Sequence, residues 1–267
     1  MSSPQTILMT GGNRGIGYYT LQALVQSPNP YILILTSRTL SAAEKACSTL
    51  SSLPPANPST TLIPVALDVT SDDSIAALVS RLAELKITKL DALVNNAGIA
   101  MDAALRGTNP SPAEIREAFV KTMDTNVAGP HLLTTALLPL LESGDGEPRS
   151  RVLFVTSGLG SIEEASKPDS PYAFVDAPAY RSSKAALNMV MVLLGKKIEG
   201  KGVNVWACCP GFCVTELGGS DAGKAEMGAK TPEEGAVVIV GILEGRREGD
   251  VGKVVNVEGG VEGVYGW

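Results

Sequence analysis

The sequence predicts an α/β fold, with a mostly parallel, seven-stranded sheet covered by helices on both faces. Short runs rich in Val, Ile and Leu alternate with longer stretches of helical periodicity, and this alternation is typical of a doubly wound sheet. The short runs lack polar alternation, as expected of strands that are buried on both faces. No stretch has the composition of a convincing linker, so residues 1–267 are expected to form a single domain.

The expected strands and helices follow one another in regular order. Ser71 and Thr231 are expected N-caps, because a hydroxyl followed by acidic residues is typical of a first helical turn. The strands are expected at Thr6–Thr10, Ile32–Thr36, Leu62–Leu67, Leu90–Asn95, Arg151–Thr156, Val203–Cys208 and Gly252–Val257. The helices are expected at 15–27, 41–52, 71–86, 112–122, 124–142, 179–199 and 232–243, and loops at 54–58, 144–148 and 163–178.

Composition and charge argue against several classes of protein. Hydrophobic residues make up 44% and charged residues 19% of the chain, which is typical of soluble globular proteins. The net charge of −6, without any block of Lys or Arg, argues against a nucleic-acid partner. The sequence contains no run of about 20 apolar residues, so no membrane span is expected. The N-terminus lacks the basic start of a signal peptide, so the expected location is cytoplasmic.

The four cysteines do not form a metal-binding pattern. Cys208, Cys209 and Cys213 are clustered and Cys47 is distant, and no paired C-x-x-C arms occur. The only histidine, His131, is far from the cluster in sequence, so no metal site is expected. We expect reduced and mostly buried thiols, as in a cytosolic protein.

A glycine-rich turn joins the first expected strand to the first expected helix. It reads Thr-Gly-Gly-Asn-Arg-Gly-Ile-Gly from Thr10 to Gly17. A dinucleotide pyrophosphate must closely approach the N–H groups at a helix N-terminus, and side chains at these glycines would obstruct it. The turn therefore predicts a Rossmann-type dinucleotide-binding fold. The expected contacts from this turn are Gly11, Asn13, Arg14, Gly15, Ile16 and Gly17.

Five motifs occur in the order that is typical of one enzyme family. They are the glycine turn, Asn95-Asn96-Ala97-Gly98, Asn126, Ser157 with the Tyr180-x-x-x-Lys184 pair, and Pro210-Gly211 followed by Thr215. Together they resemble the short-chain dehydrogenase/reductase family over essentially the whole chain. The resemblance implies an NAD(P)-dependent oxidoreductase that acts on C=O or CH–OH groups. It also implies further coenzyme contacts from Asp68, Val69, Asn95, Ala97, Gly98, Tyr180, Lys184, Pro210, Gly211, Val214 and Thr215.

Tyr180 and Lys184 are expected on one face of a helix, because they are four residues apart. A phenol has a pKa of ~10, and a nearby cation is expected to lower it towards the range useful for proton transfer. The resemblance implies that Ser157 and Tyr180 hydrogen-bond the substrate oxygen and that Tyr180 donates the proton. It also implies that Lys184 contacts the nicotinamide ribose and that Asn126 helps to hold a water linked to Lys184.

The residues after the second expected strand favour NADPH as the coenzyme. The chain reads Ser37-Arg38 there, and no acid follows until Glu44. A basic residue at this place suits the 2′-phosphate of NADP, whereas an acid suits the ribose hydroxyl of NAD. Arg14 is a second cation near the same group, and the planar guanidinium is well shaped for phosphate. Ser37 and Arg38 are therefore expected coenzyme contacts.

Two segments resemble the monomeric carbonyl reductases of this family, namely residues 207–216 and 231–236. They imply an NADPH-dependent ketone or aldehyde reductase and favour a monomer over a homo-oligomer. The insertion before Tyr180 is shorter than in that branch, and Phe212 replaces its Trp, so substrate preference does not carry over. Tyr172, Phe174 and Phe212 are candidates either for a pocket wall or for the core. The alternative functions are an NAD(P)-linked secondary-alcohol dehydrogenase and a non-catalytic dinucleotide sensor.

Overall fold

The computed structural model describes residues 3–106, 109–142, 149–218 and 221–267, and it has the expected Rossmann-like α/β fold. Within this part of the chain one sheet has the strand order β3-β2-β1-β4-β5-β6-β7-β8. Strands β1 to β7 pair in parallel, and β8 is antiparallel to β7. The strands are β1 (Gln5–Met9), β2 (Tyr31–Ser37), β3 (Thr61–Ala66), β4 (Ala92–Asn95), β5 (Ser150–Val155), β6 (Val203–Cys209), β7 (Val254–Glu258) and β8 (Val261–Tyr265).

Helices cover both faces of the sheet. Helices α1, α2 and α9 pack on one face and α3, α5 and α7 on the other, each with its own cluster of buried apolar side chains. Alternate residues of β1 enter the two clusters, with Ile7 and Met9 in one and Leu8 in the other. The helices are α1 (Gly15–Val25), α2 (Leu40–Ser51), α3 (Asp72–Glu84), α4 (Pro112–Met123), α5 (Gly129–Leu141), α6 (Ile162–Ser166), α7 (Pro178–Lys197), α8 (Asp221–Glu226) and α9 (Pro232–Leu243).

The strand order creates a crevice for a ligand between β1 and β4. The chain runs outward from β1 to β3 and then returns to the other side of β1 at β4. At such a switch point the loops that follow the carboxyl ends of neighbouring strands diverge, and ligands of doubly wound sheets bind there. The glycine turn follows β1 and the Asn95–Gly98 motif follows β4, so both line this crevice.

The expected count of seven strands is wrong, because β8 was missed. β8 follows β7 through the two-residue turn Gly259–Gly260, where φ is 57° and 80°. Two glycines between short runs are a hairpin signal, but β8 is a partly exposed edge strand whose Val-Glu-Gly-Val-Tyr pattern is weakly apolar. The buried Arg247 guanidinium supports the hairpin by donating to the Asn256 and Gly263 carbonyl oxygens, at 3.2 and 2.8 Å.

The single helix expected at 124–142 is also wrong, because a π-helical turn at Asp124–Ala128 precedes α5. A π turn inserts one residue into the helical register, and it places the Asn126 side chain in the sheet-side interior, where it is fully buried. The start of α5 lies close to the loop after β3, since a Cβ at Gly129 would be 2.6 Å from the Val69 carbonyl oxygen.

The loop expected at 163–178 is wrong at both ends. Helix α6 occupies Ile162–Ser166, with the Ser161 hydroxyl as its cap, and α7 begins at Pro178. The loop expected at 144–148 lies outside the described residues. The expected caps Ser71 and Thr231 are confirmed, because each hydroxyl accepts a first-turn N–H at 3.2 Å. The remaining expected bounds differ from the observed ones by at most two residues.

The burial of the cysteines agrees with the expectation from the sequence. The four thiols are unpaired and buried. In the part of the chain that the structure describes, no three His, Cys, Asp or Glu side chains cluster as a metal site would require. The same residues include no helix that is both long and apolar enough to cross a bilayer.

Candidate active site

The glycine turn places its predicted residues at the carboxyl end of β1. Gly11 and Gly15 have φ of 62° and 55°, a region that side chains other than glycine rarely adopt. Gly12 donates its N–H to the Thr36 carbonyl oxygen at 2.9 Å, which ties the turn to β2. Helix α1 then begins after Arg14, whose side chain makes no capping bond. The N–H groups of the first turn of α1 are therefore suited to bind an anion.

Thr10 and Asn96 brace the turn against the loop that follows β4. The Thr10 hydroxyl accepts from the N–H groups of Asn96 and Ala97, both at 2.9 Å. The Asn96 side-chain amide donates to the carbonyl oxygens of Thr10 and Gly11, at 2.8 and 3.1 Å. A Cβ at Gly17 would lie 2.5 Å from Asn96 Nδ2, so the glycine allows α1 to lie close to the Asn96 side chain. Sequence spacing gives no sign that Thr10 and Asn96 brace the turn, because their partners lie more than 80 residues away.

Asn95 faces away from the crevice. It is buried, and its amide donates to the Thr134 hydroxyl of α5 at 3.0 Å. Adjacent residues at the end of a strand point to opposite faces, so of the pair it is Asn96 that contacts the glycine turn. The expected coenzyme contact of Asn95 stays a prediction, and its side-chain amide is already bonded to Thr134.

Three charged residues are expected to contact the coenzyme: Arg14 follows β1, Arg38 follows β2 and Asp68 follows β3. Arg38 is exposed and follows the buried Ser37 at the end of β2. Hydrogen bonds from the hydroxyl and N–H of Thr70 hold the pKa of the Asp68 carboxyl below its usual range, and the charge of Arg38 contributes. Arg14, in contrast, forms an ion pair with Glu216, and both side chains are more than half exposed. Arg38 is thus the better placed cation for a phosphate.

Ser157 and Tyr180 meet at the carboxyl end of β5. Tyr180 lies in the first turn of α7, and a hydrogen bond from the Ser157 hydroxyl favours its phenolate form. Burial and the nearby Cys209 thiol act in the opposite direction and raise the pKa of Tyr180 well above its usual range. Thr156 points the other way, as expected, and donates to Asn188 Oδ1 of α7 at 2.7 Å.

Lys184 is buried beside Tyr180, but the pKa of the phenol is raised because the effect of burial is the largest. Its ammonium lies 5.5 Å from the centroid of the Tyr180 ring, over the face of the ring, and donates to the Val155 carbonyl oxygen at 2.8 Å. The expectation that Lys184 sets a lowered phenol pKa is therefore wrong for this structure, since burial dominates. Burial also lowers the pKa of Lys184 to about 8. A Cβ at Gly160 would lie 2.7 Å from the Lys184 Cβ, so that glycine admits the lysine stem.

Asn126 connects the loop after β4 to α7. Its Oδ1 accepts from the Ile99 N–H and its Nδ2 donates to the Ile99 carbonyl oxygen, both at 2.9 Å. Nδ2 also donates to the Ser183 hydroxyl at 3.0 Å, and that hydroxyl donates to the Tyr180 carbonyl oxygen at 2.7 Å. The Lys184 ammonium and Asn126 Oδ1 both lie within 3.6 Å of where a Cβ of Gly98 would be. Asn126 thus lies at the site, as the resemblance implied.

The Pro210–Thr215 segment closes the site on the side of β6. The buried Cys209 thiol accepts from the N–H groups of Gly158 and Gly211, at 3.1 and 3.4 Å, and so joins this segment to the loop after Ser157. Gly211 has a φ of 86°. The Thr215 side chain lies 3.5 Å from where a Cβ of Gly15 would be, so the segment reaches the glycine turn. Val214 is positioned by its N–H, which donates to the Lys230 carbonyl oxygen at 2.8 Å.

Two tyrosines lie beside Ser157, and only Tyr172 was a candidate for a pocket wall from the sequence. Tyr265 of β8 and Tyr172 lie 3.0 and 3.2 Å from where a Cβ of Gly158 would be. The two phenol oxygens are 2.8 Å apart, and Tyr172 donates to Glu258 at 2.9 Å. These residues come from the insertion and from the missed hairpin, so only the folded structure brings them to Ser157. Phe174 and Phe212 are exposed and do not belong to the core.

Comparisons with known proteins agree with this geometry. The sequence model of the short chain dehydrogenase family matches residues 5–225. The short-chain dehydrogenase/reductase tropE of Talaromyces stipitatus is 35% identical over 275 residues, covering 98% of each chain. The short-chain dehydrogenase anuI of Penicillium roqueforti is 36% identical over 264 residues, covering 98% of this chain and 97% of the relative.

Solved structures with similar folds include carbonyl reductases. The NADPH-bound carbonyl reductase from chicken fatty liver superposes with a TM-score of 0.78 at 28% identity, covering all of both chains. The NADP complex of Pseudomonas aeruginosa RhlG gives a TM-score of 0.76 at 27% identity, covering 96% of this chain and 95% of the other. The chain belongs to the short-chain dehydrogenase/reductase family. It is an oxidoreductase that acts on C=O or CH–OH groups.

The buried ammonium of Lys184 is expected to make the stability of the protein depend on pH. Its pKa is about 8 in the fold against an ordinary value of 10.5, so the unfolded chain retains this proton to higher pH. Burial of the charged ammonium lowers the free energy of unfolding. This loss of stability is fully present below pH about 8 and disappears as the pH rises towards 10.5. Relative to the Lys184→Met variant, the wild type should therefore gain stability at alkaline pH.

Urea unfolding of both proteins at about pH 7 and about pH 9.5 measures this difference in the free energy of unfolding. Comparison with Lys184→Met cancels the titration of the thiols, which both proteins share. An equal stability difference at the two pH values would contradict the lowered pKa of Lys184.

Proposed function

We propose that the protein is an NADPH-dependent reductase of ketones or aldehydes. The proposal rests chiefly on the convergence of the Ser157 hydroxyl, the Tyr180 phenol and the Lys184 ammonium at the carboxyl edge of the sheet. These groups lie beside the crevice that the glycine turn borders. Two neighbouring hydroxyl donors in a partly buried site suit the stabilisation of a developing oxyanion.

In this proposal Ser157 and Tyr180 donate hydrogen bonds to the carbonyl oxygen of the substrate. Tyr180 transfers its phenolic proton to the alkoxide oxygen as that oxygen gains charge. The raised pKa of Tyr180 keeps the phenol protonated at neutral pH, which suits a proton donor. Lys184 keeps a positive charge near the phenolate that remains after the transfer. Asn126 holds the loop and helix around this lysine, and we propose that it also helps to hold a water on the proton path.

The coenzyme, when bound, supplies the hydride. The N–H groups at the glycine turn are suited to its pyrophosphate, and Arg38 is suited to a 2′-phosphate. Arg14 would serve as a second phosphate ligand if it leaves Glu216. Lys184 is suited to the nicotinamide ribose. We assign further contacts to Asp68, Val69, Ala97, Gly98, Pro210, Gly211, Val214 and Thr215. The printed descriptions of the chicken carbonyl reductase and of RhlG, which name NADPH and NADP, support this choice of coenzyme.

The proposed activity is tested by following the loss of NADPH absorbance. The purified protein is mixed with NADPH and a panel of aldehydes, diketones and quinones, and each reaction is repeated with NADH. We expect turnover of at least one carbonyl, faster with NADPH than with NADH. Coenzyme binding without turnover of any panel member would instead favour a dinucleotide sensor, and oxidation of alcohols with NAD would favour a dehydrogenase.

Replacing Tyr180 by Phe is expected to reduce turnover by about 10²–10⁴-fold, because a positioned proton donor contributes that much. The affinity for NADPH should change little, since the ring remains and only the hydroxyl is lost. Steady-state kinetics and fluorescence titration with NADPH measure the two effects. Tyr19→Phe on α1 is the matched control and should keep its turnover. More than half of the wild-type activity in Tyr180→Phe would disprove the assigned mechanism.

Replacing Arg38 by Asp is expected to shift the coenzyme preference from NADPH towards NADH. The substitution exchanges attraction for the 2′-phosphate for repulsion and offers the ribose hydroxyl an acceptor. A charge-assisted hydrogen bond contributes roughly 1.5–3 kcal/mol, so the affinity ratio should fall about 10- to 100-fold. Titration of both coenzymes into wild type, Arg38→Asp and the control Arg116→Asp on exposed α4 measures the ratio. An unchanged ratio in Arg38→Asp would remove this role from Arg38.

We propose a monomeric, cytoplasmic protein whose whole chain forms one reductase domain. The unpaired thiols are consistent with a reducing compartment, and the sheet takes strands from both halves of the chain. Val120, Leu132, Met189 and Leu193 are exposed on α4, α5 and α7, which makes a homo-oligomer the competing state. Sedimentation is expected to give the mass of one chain. A mass near four chains that persists on dilution would contradict the monomer.

A further inference from the structure

The N-terminus of α7, the helix that carries Tyr180 and Lys184, has no cap of its own. Its first residues leave backbone N–H groups without partners inside the helix, as at any helix start. Pro178 has no N–H, and Ala177 makes no side-chain cap. The Arg181 N–H is the first with an internal partner, because it donates to the Ala177 carbonyl oxygen at 2.9 Å. Two donors therefore remain, the N–H groups of Ala179 and Tyr180.

Asp102 accepts from both of these donors. Its Oδ1 accepts from the Ala179 N–H and its Oδ2 from the Tyr180 N–H, each at 2.8 Å. The side chain comes from a 3₁₀-helical turn at Met101–Leu105 and is only 5% exposed. A buried carboxylate requires such compensation, and the positive end of a helix dipole adds to it. The carboxylate thus completes the hydrogen bonding of the first turn of α7 from a distant part of the chain.

Asp102 also ties the catalytic helix to the coenzyme side of the crevice. It lies four residues after Gly98, in a segment that Asn126 fixes through both backbone groups of Ile99. The Tyr180 carbonyl oxygen is held from the same side, since it accepts from Ser183, whose hydroxyl accepts from Asn126. The Tyr180 N–H is therefore attached directly to the segment that follows β4, and the Tyr180 carbonyl oxygen is attached to it through Ser183 and Asn126.

We infer that Asp102 is a positioning residue for Tyr180, holding the phenol at its place beside Ser157 by fixing the start of α7. This role rests on the proposed reductase function, in which Tyr180 is the proton donor. Asp102 itself acts through the backbone N–H groups and does not touch the reacting atoms. Its loss therefore affects the chemical step and leaves the coenzyme contacts of the glycine turn in place.

The Asp102→Asn variant changes this contact with little change in side-chain size. An amide offers only one acceptor oxygen, and its NH₂ group would face a backbone N–H that can only donate. A displacement of about 1 Å in a catalytic group can cost about 10²-fold in rate. We expect kcat to fall about tenfold or more, and the affinity for NADPH to fall by much less, because Lys184 is only one of several proposed coenzyme contacts. Asp102→Glu keeps the two acceptor oxygens and should recover part of the lost kcat.

The matched control is Ser111→Ala, which removes the cap of α4. The Ser111 hydroxyl accepts from the Glu114 N–H at 3.3 Å, so this variant also weakens a helix start but leaves the hydrogen bonds of Asp102 to α7 in place. Its kcat should equal that of the wild type, even where its thermal midpoint falls as much as that of Asp102→Asn. The measurements are kcat, KM for the carbonyl, Kd for NADPH by fluorescence, and the thermal midpoint for all four proteins.

An unchanged kcat in Asp102→Asn would overturn the positioning role. An equal loss of kcat in Ser111→Ala, or a loss of NADPH affinity as large as the loss of kcat, would overturn it as well, since either result indicates a general structural effect. If Asp102→Asn does not fold, Asp102→Glu decides. It keeps both acceptor oxygens but displaces them by the length of one methylene group, so the positioning role predicts a kcat below that of the wild type. A folded Glu variant with wild-type kcat would overturn the role. A wild type that turns over no carbonyl would refute the proposed function itself.

Discussion

The backbone of Tyr180 is held from both sides, and the rest of the site is built on this attachment. Asp102 accepts from its N–H, while Ser183 and Asn126 fix its carbonyl oxygen. Because Lys184 lies one helical turn further along α7, the same attachments set the place of the ammonium that packs over the phenol ring. Contacts of the helix start with the loop after β4 therefore fix the relative positions of the proposed catalytic groups on α7.

Most of the fold could be predicted from the sequence because its strands are buried on both faces. Runs such as Tyr31–Ser37 and Val203–Cys209 are predominantly apolar and are bounded by turns, so composition alone indicates them. Strand β8 lies at the edge, is partly exposed and includes a glycine, so its pattern carries little signal. The π-helical turn at Asp124–Ala128 could not be predicted either, since it depends on the contact of Asn126 with Ile99 across the structure.

The motif residues of the site could be predicted because their spacing is local, as for Tyr180 and Lys184 on one face of a helix. The parts that were wrong or missing depend on tertiary contacts. Burial, which sequence spacing does not report, raises the pKa of Tyr180 where the lysine was expected to lower it. Asp102 was missed because its partners are backbone N–H groups more than 70 residues away, and a lone Asp after an Asn-Asn-Ala-Gly motif gives no sign of them.

The proposed reaction requires that a hydride passes to a carbonyl carbon held at Ser157 and Tyr180. This transfer can be followed with NADPH that carries deuterium at the transferable position, incubated with the protein and a carbonyl compound that it consumes. The product is expected to be the alcohol, with a single deuterium on its carbinol carbon as shown by mass spectrometry and NMR. Oxidation of the labelled coenzyme without deuterium on that carbon would contradict it.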